Sequence, residues 1–141
     1  MAKNGKEQRL IHGLNAAFNR ELTTAIRYLV QGSSIHGQQN EPLRQLYRSE
    51  LQDEIGHAQY LADKIAALGG YPTASPAVDP PPTEVAEMID NDIEAEQSDI
   101  MHYQRLAALA DESGDIELKL RMEQQAADES HHAEQLRRLR A

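Results

Sequence analysis

The sequence predicts an all-α protein, a bundle of four helices built as two helical hairpins that a long proline-rich crossover joins. Proline and glycine divide the 141-residue chain into four long segments, and apolar residues recur in each at spacings of three and four. Aromatic residues make up only 4% of the chain, which favours a helical core packed with Ala and Leu. The length is that of a single domain, residues 1–141.

The breaks between segments give the order of the elements. Residues 36–42 separate the first two helices, and residues 113–115 separate the last two. Five of the six prolines lie between Pro72 and Pro82, so no helix crosses that stretch, and Thr83 is a suitable N-cap for the helix that follows. The predicted helices cover residues 5–36, 41–68, 83–112 and 115–140.

A carboxylate interrupts the apolar stripe of each predicted helix near its middle. An unpaired carboxylate inside a protein costs several kcal/mol. Four of them on facing stripes would unfold the bundle unless protons or cations compensate their charge, and two divalent metal ions would do so. The four residues are Glu21, Glu54, Glu96 and Glu129.

An internal repeat relates the two halves of the chain and supports a metal site. Residues 21–28 parallel residues 96–103, each beginning with Glu and ending with Tyr, and residues 53–57 parallel residues 128–132, each reading Asp-Glu-x-x-His. A Glu and a His three positions apart lie on one helix face, where a single ion can contact both. Two such motifs, each at the same distance after a Glu of the preceding helix, form the di-iron or di-manganese carboxylate pattern. The predicted ligands are Glu21, Glu54, His57, Glu96, Glu129 and His132.

Helical phase selects Glu96 rather than Glu94 as the ligand from the third helix. At 100° per residue the two side chains point about 200° apart, so only one of them faces the bundle centre. Glu96 shares a stripe with Ile89 and Tyr103, and its offset from Glu21 equals the offset of Glu129 from Glu54. Glu94 would break that equality.

Over nearly its whole length the sequence resembles the ferritin-like di-iron proteins, and most closely bacterioferritin. The six predicted ligands stand at ferritin-like positions, and the segment Leu-Gly-Gly-Tyr-Pro at residues 68–72 supports the same branch. The resemblance implies two iron ions per chain, with two bridging carboxylates and a separate carboxylate and histidine for each ion. The implied bridging residues are Glu54 and Glu129. The implied ligands of single ions are Glu21, Glu96, His57 and His132.

The resemblance also implies four residues that contact the ligands, namely Tyr28, Tyr103, Asp53 and Asp128. An aspartate that accepts a hydrogen bond from the far nitrogen of a ligand histidine fixes the tautomer of that histidine. The residues alone leave other interpretations open, since the tyrosines could be plain core residues and the aspartates solvated flank positions. Glu50, one turn before Glu54, could be an accessory iron ligand.

The activity that the resemblance implies is that of a ferroxidase, which oxidises Fe(II) with O₂ or peroxide and deposits ferric mineral for iron sequestration or detoxification. A second hypothesis is a di-manganese or di-iron enzyme that removes peroxide, as catalases and rubrerythrins do. The absence of cysteine weakens the rubrerythrin version, because its rubredoxin module needs cysteines. A third is a non-catalytic metal buffer or a DNA-protecting mini-ferritin, although mini-ferritins build their sites between subunits. Iron and manganese prefer the same ligands, so the sequence leaves both possible.

Two departures from bacterioferritin limit what the resemblance implies. Bacterioferritin binds haem through a methionine directly after the second-helix Glu, and that position holds Ile55, so no haem is expected. Only nine residues follow His132, too few for the fifth helix of that family. We therefore expect a homo-oligomer that is smaller than a 24-subunit cage or built differently.

Composition limits the partners. With 14 basic and 23 acidic residues the formal charge is −9, which argues against nucleic acid as the main partner. No apolar run is long enough for a membrane helix, and the start lacks the apolar stretch of a signal peptide, so a cytoplasmic location is expected. Without cysteine the chain has no disulfide scaffold and no Cys-ligated metal site. The expected partners are Fe(II), O₂ or H₂O₂, and further copies of the chain.

Overall fold

The computed structural model describes residues 5–141, and within that range it contains four long helices and no strand. Helix α1 packs mainly against α2, and α3 packs mainly against α4, so the chain forms two helical hairpins side by side. This confirms the predicted all-α four-helix bundle. Residues 1–4 of the predicted domain lie outside the described residues. The helices are α1 (Gly5–Ser34), α2 (Glu41–Ala67), α3 (Val85–Glu112) and α4 (Ile116–Arg140).

A short 3-10 helix, Gln38–Asn40, connects α1 to α2. Gly37 precedes it with φ 93°, a backbone conformation that glycine adopts without steric cost. Helix α1 ends two residues earlier than predicted, and beyond its end the carbonyl of His36 accepts a hydrogen bond from the Asn40 side chain (2.8 Å). Pro42 lies in the first turn of α2, where its missing N–H costs nothing.

The predicted N-cap of α3 is wrong. Glu84 rather than Thr83 precedes the helix, and its side chain makes no capping hydrogen bond. Because the backbone of Glu84 is extended (φ −84°, ψ 129°), the helix cannot begin before Val85. Helix α4 does have a capped start, since the carboxylate of Asp115 accepts a hydrogen bond from the Leu118 N–H at 3.0 Å.

The crossover between α2 and α3 runs along α1, and two asparagines hold it there. Asn15 donates to the carbonyl of Tyr71 (3.2 Å) and accepts from the N–H of Thr73 (2.9 Å). One turn later, Asn19 donates to the carbonyl of Thr73 (2.8 Å) and accepts from the N–H of Ser75. The long crossover therefore keeps a fixed path although it has no regular secondary structure.

The core has two apolar clusters, one toward each end of the bundle. One contains Leu10, Leu14, Leu61, Ile65, Leu106, Leu118 and Met122, and the other contains Tyr28, Leu43, Tyr47, Met88, Ile89 and Leu136. The predicted carboxylates lie between the two clusters, at the middle of each helix. None of the described helices is both long and apolar enough to cross a membrane.

Candidate metal centre

The structure brings the six predicted ligands together at the bundle centre. The four glutamates come one from each helix, and each is fully buried. The two histidines lie on α2 and α4, one turn after a glutamate of the same helix, and they are buried as well. The helical period explains the convergence, because positions i and i+3 share one face and that face continues the apolar stripe.

The six residues form two groups whose ligand atoms lie within 4.8 Å of one another. Two glutamates, Glu54 and Glu129, belong to both groups, and they face each other from α2 and α4. The first group adds Glu21 and His57, and the second adds Glu96 and His132. Each group could hold one metal ion, with Glu54 and Glu129 offering ligand atoms to both.

Both histidines point the same ring nitrogen into the centre. The Nδ1 atom of His57 lies 3.1 Å from a carboxylate oxygen of Glu129 and 3.5 Å from one of Glu21. The Nδ1 atom of His132 lies 3.3 Å from Glu54 and 4.0 Å from Glu96. Each Nδ1 also lies 3.9 Å from the glutamate one turn earlier on its own helix, so each imidazole faces both shared carboxylates and one unshared carboxylate.

The opposite ring nitrogens contact aspartates of the facing helix. His57 Nε2 lies 2.9 Å from Asp128, and His132 Nε2 lies 2.9 Å from Asp53. A carboxylate at this distance holds a proton on Nε2, so Nδ1 is the ring nitrogen left to bind a metal ion at the centre. The aspartates thus occupy the positions the resemblance implies, and each contacts the histidine of the other helical hairpin.

The two tyrosines reach across the bundle to the unshared carboxylates. Tyr28 on α1 donates a short hydrogen bond to Glu96 on α3, and Tyr103 on α3 donates one to Glu21 on α1. Both hydroxyls are buried, and burial raises the pKa of each well above its ordinary range. The tyrosines therefore remain neutral donors that orient one oxygen of each carboxylate.

The polar atoms of the six candidate ligands that contact neither an aspartate nor a tyrosine have no hydrogen-bond partner. They are one oxygen each of Glu21 and Glu96, both oxygens of Glu54 and Glu129, and Nδ1 of both histidines. Buried polar groups are nearly always paired, so a cluster of unpaired acceptors needs a cation or protons. Carboxylate oxygens and imidazole nitrogens are donors that iron and manganese accept. The residues present therefore fit a pair of divalent metal ions.

Protons neutralise the centre when metal is absent. Burial, followed by the charge of Glu21, raises the pKa of Glu54 well above its ordinary value, and burial, followed by the close carboxylate of Glu129, does the same for Glu96. Burial alone would lower the pKa of His57, but the close carboxylates of Glu129 and Glu21 outweigh it and raise that pKa to about 11. Metal ions compete with these protons for the same atoms.

The phase argument for the third helix agrees with the structure. Glu96 is fully buried in the second ligand group, whereas Glu94 is exposed and belongs to neither group. The accessory candidate Glu50 is buried but also belongs to neither group. That all six residues bind metal is still a prediction.

Two partly buried ion pairs beside the centre were not predicted from the sequence. Asp92 accepts hydrogen bonds from Arg27 (2.9 Å), Gln31 (2.7 Å) and Tyr47 (2.7 Å). Asp99, which is absent from the predicted site, pairs with an arginine of α1. Its spacing of three residues from Glu96 on the same helix face was the available signal.

A four-helix bundle whose interior carries four carboxylates and two Glu-x-x-His motifs belongs to the class of carboxylate-rich metal-binding bundles. The family model for the ferritin-like domain matches residues 11–141, nearly the entire chain. The chain therefore belongs to the ferritin-like domain family. No curated protein sequence matches it.

Solved structures of ferritin-like proteins are similar over almost the full chain. A ferritin-like, diiron-carboxylate protein from Bacillus anthracis str. Ames is 33% identical with a TM-score of 0.94, covering 99% of this chain and 100% of that one. The bacterioferritin of Desulfovibrio desulfuricans is 25% identical with a TM-score of 0.89, covering 99% and 83% respectively. A dodecameric thioferritin from Bacteroides fragilis, 23% identical over 94% and 84% of the chains with a TM-score of 0.85, shares the fold.

Proposed function

We propose that the protein is a di-iron ferroxidase that oxidises Fe(II) to Fe(III) with O₂ or hydrogen peroxide and so limits free ferrous iron. One observation carries the proposal: two groups of buried ligand atoms share Glu54 and Glu129, and most of those atoms have no partner in the protein. The similarity to a diiron-carboxylate protein of Bacillus anthracis supports iron as the metal.

Each side chain has a distinct part in this proposal. The shared carboxylates would hold the two ions close together, while an unshared glutamate and a histidine would bind each ion separately. The aspartates keep the proton on the far ring nitrogen, and the tyrosines hold one oxygen of each unshared carboxylate. When bound, two ferrous ions supply one electron each, and O₂ with two protons accepts them to give hydrogen peroxide.

The residues of the metal-free centre also hold protons that binding must displace. Glu54 and Glu96 have raised pKa values, and the raised pKa of His57 makes it cationic at neutral pH, so each ion replaces protons at atoms it needs. We expect net proton release as metal binds. Calorimetric titration of Fe(II) without oxygen, in buffers of different ionisation enthalpy, measures the number released.

Stoichiometry tests the proposal directly. Anaerobic titration with Fe(II) should reach a plateau near two ions per chain, and admission of O₂ should oxidise the bound iron faster than buffer does. A plateau well below one ion per chain would contradict the di-iron centre. Anomalous diffraction at the iron and manganese edges, on protein purified without added metal, identifies the native metal and decides between iron and manganese.

The assembly and location belong to the same proposal. We expect a cytoplasmic homo-oligomer. We also expect it to lack haem, since the exposed Ile55 occupies the position of the haem-binding methionine. The thioferritin that shares this fold is described as dodecameric, which supports an oligomer. Light scattering showing a 24-subunit particle, or a Soret band in protein from haem-replete cells, would count against these expectations.

A further inference from the structure

The candidate metal centre can be approached from two faces of the bundle, and the two faces differ. One lies between α1 and α3, and the other lies between α2 and α4. Cavities occur on both, with volumes of about 310 Å³ and 340 Å³. What separates them is how each cavity connects to the ligands.

The face between α1 and α3 is closed by a salt bridge. The Arg20 guanidinium donates to Asp99 (2.6 Å) and to Ser98 (2.6 Å), which fixes it across the helix boundary. Behind it, the crevice that leads to Glu21 has no room for a water molecule. A second guanidinium, that of Arg27, lies on the same face. The closed crevice, together with two guanidinium groups that are fixed by ion pairs with Asp99 and Asp92, opposes the passage of a cation.

The face between α2 and α4 is open as far as the candidate ligand His57. Its cavity, here called the α2/α4 opening, reaches the imidazole of His57 and carries the carboxylates of Asp53 and Asp128. Among the described residues that line it, Arg121 alone carries a guanidinium, which stacks on the Tyr60 ring at 4.4 Å. The remaining lining residues are Gln52, Gly56, Gln124 and Gln125. The opening is therefore polar, carries two carboxylates and one guanidinium, and extends to the candidate ligand His57.

The presence of a glycine at position 56, in the lining of this opening, needs an explanation. A glycine inside a helix lowers stability relative to alanine, so it usually has a packing reason. Gly13 and Gly32 have one, since an added Cβ would lie 2.7 Å from Leu106 and 3.3 Å from Tyr47. At Gly56 an added Cβ would meet nothing within 4 Å. Neither packing nor backbone conformation requires glycine there, whereas a side chain would project over the opening beside His57.

We propose that divalent metal ions reach and leave the centre through the α2/α4 opening, and that Gly56 keeps it clear. The inference rests on the proposed metal-binding function and adds the direction of access and the residue that controls it. The opening passes small hydrated cations because the carboxylates of Asp53 and Asp128 attract them at its rim. The closed face with Arg20 and Asp99 takes no part in this exchange.

The test uses Zn(II), a redox-inert probe, so that access is measured apart from ferroxidase activity. Gly56→Leu should slow Zn(II) binding to the metal-free protein, and Zn(II) removal by excess chelator, by the same factor of at least about fivefold. Because a blocked passage affects both directions equally, the dissociation constant should not change. Gly56→Ala should bind and release Zn(II) nearly as fast as the wild type. Ala95→Leu, which fills the cavity between α1 and α3, should leave both rates unchanged.

A charge variant provides independent evidence without filling space. Gln52→Lys places a cation at the rim and should slow Zn(II) binding about twofold at low salt, an effect that disappears at high ionic strength. Gln104→Lys, which changes another exposed glutamine, on α3, is the matched control and should have no such effect. Unchanged rates in both Gly56→Leu and Gln52→Lys would overturn the proposal.

Two further outcomes would also overturn it. Slower exchange in Ala95→Leu but not in Gly56→Leu would assign access to the face between α1 and α3. A changed oligomeric state in Gly56→Leu, with wild-type Zn(II) kinetics, would identify Gly56 as a contact between copies. Failure of the proposed function looks different, because the wild-type protein would then bind no more than a trace of Zn(II) or Fe(II) at equilibrium.

Discussion

Glu50 is expected to destabilise the metal-free protein at neutral pH, and replacing it with glutamine should recover that stability. The side chain is 1% exposed, and neither carboxylate oxygen has a hydrogen-bond partner. Burial, followed by the charges of Glu129 and Asp92, raises its pKa from 4.5 to about 9. Gln125, an uncharged amide, stands at the equivalent position in the second half of the repeat. Glu50→Gln therefore gives the first hairpin the same uncharged side chain that the second hairpin has at the equivalent position.

The magnitude follows from linkage between protonation and folding. Because the folded-state pKa exceeds the unfolded value, the contribution of Glu50 to stability is greatest below pH 4.5 and is lost as pH rises toward 9. At pH 7 the carboxyl must take up a proton on folding, although the pH is about 2.5 units above its unfolded pKa of 4.5. Each unit costs about 1.4 kcal/mol. Glu50→Gln should therefore raise the free energy of unfolding by about 3 kcal/mol at pH 7 and by almost nothing near pH 4.

Urea unfolding of the metal-free wild type and variant, from pH 4 to pH 8, measures this difference. Gln125→Glu is the matched control, since it introduces the same acid into the other hairpin and should destabilise the protein increasingly as pH rises. A difference between wild type and Glu50→Gln that is zero, or that is the same at every pH, would refute the reasoning. It would show that Glu50 finds a partner or remains ionised in the folded protein.

Three further predictions concern the metal centre. Glu96→Ala should lower metal affinity or ferroxidase rate at least about tenfold, whereas Glu94→Ala should change neither, and the reverse result would mean that α3 is misphased. Asp128→Asn should weaken metal binding about tenfold or more, measured by calorimetry, because His57 loses the carboxylate that fixes its tautomer. Saturating Fe(II) or Mn(II) should raise the free energy of unfolding at pH 7 by about 3–4 kcal/mol at hundreds of Kd, and equal melting temperatures with and without metal would contradict this.

The sequence predicts the helices well because each carries a long periodic pattern, and it predicts their ends less well. Where a break depends on glycine or proline, the predicted position lies within two residues of the observed one. The N-cap at Thr83 is wrong because the extended backbone of Glu84 depends on the path of the crossover. That path is determined by contacts with Asn15 and Asn19 on α1, which no local pattern reveals.

The six candidate ligands could be predicted because an acid in a buried stripe has a large electrostatic cost that the repeat shows twice. The contacts between the two hairpins could not be predicted from the sequence. Spacing places Asp53 next to Glu54 on α2, yet its carboxylate holds His132 on α4. In the same way, Tyr28 shares a helix with Glu21 but donates to Glu96. Such partners depend on which helices face each other and at what height, and a single sequence does not contain that information directly.

The internal repeat predicts two equivalent ion positions, but the residues that break the repeat make them different. The uncharged Gln125 lies beside His57 in the lining of the α2/α4 opening. The equivalent position in the first half of the repeat holds an acid, Glu50. Gly56 opens the solvent face next to His57, whereas the equivalent position next to His132 holds a histidine, His131. One ion position thus adjoins the opening and a neutral amide, and the other adjoins a buried carboxyl. Since nearby charge and solvent access determine metal affinity and exchange, the two positions should fill in sequence rather than together.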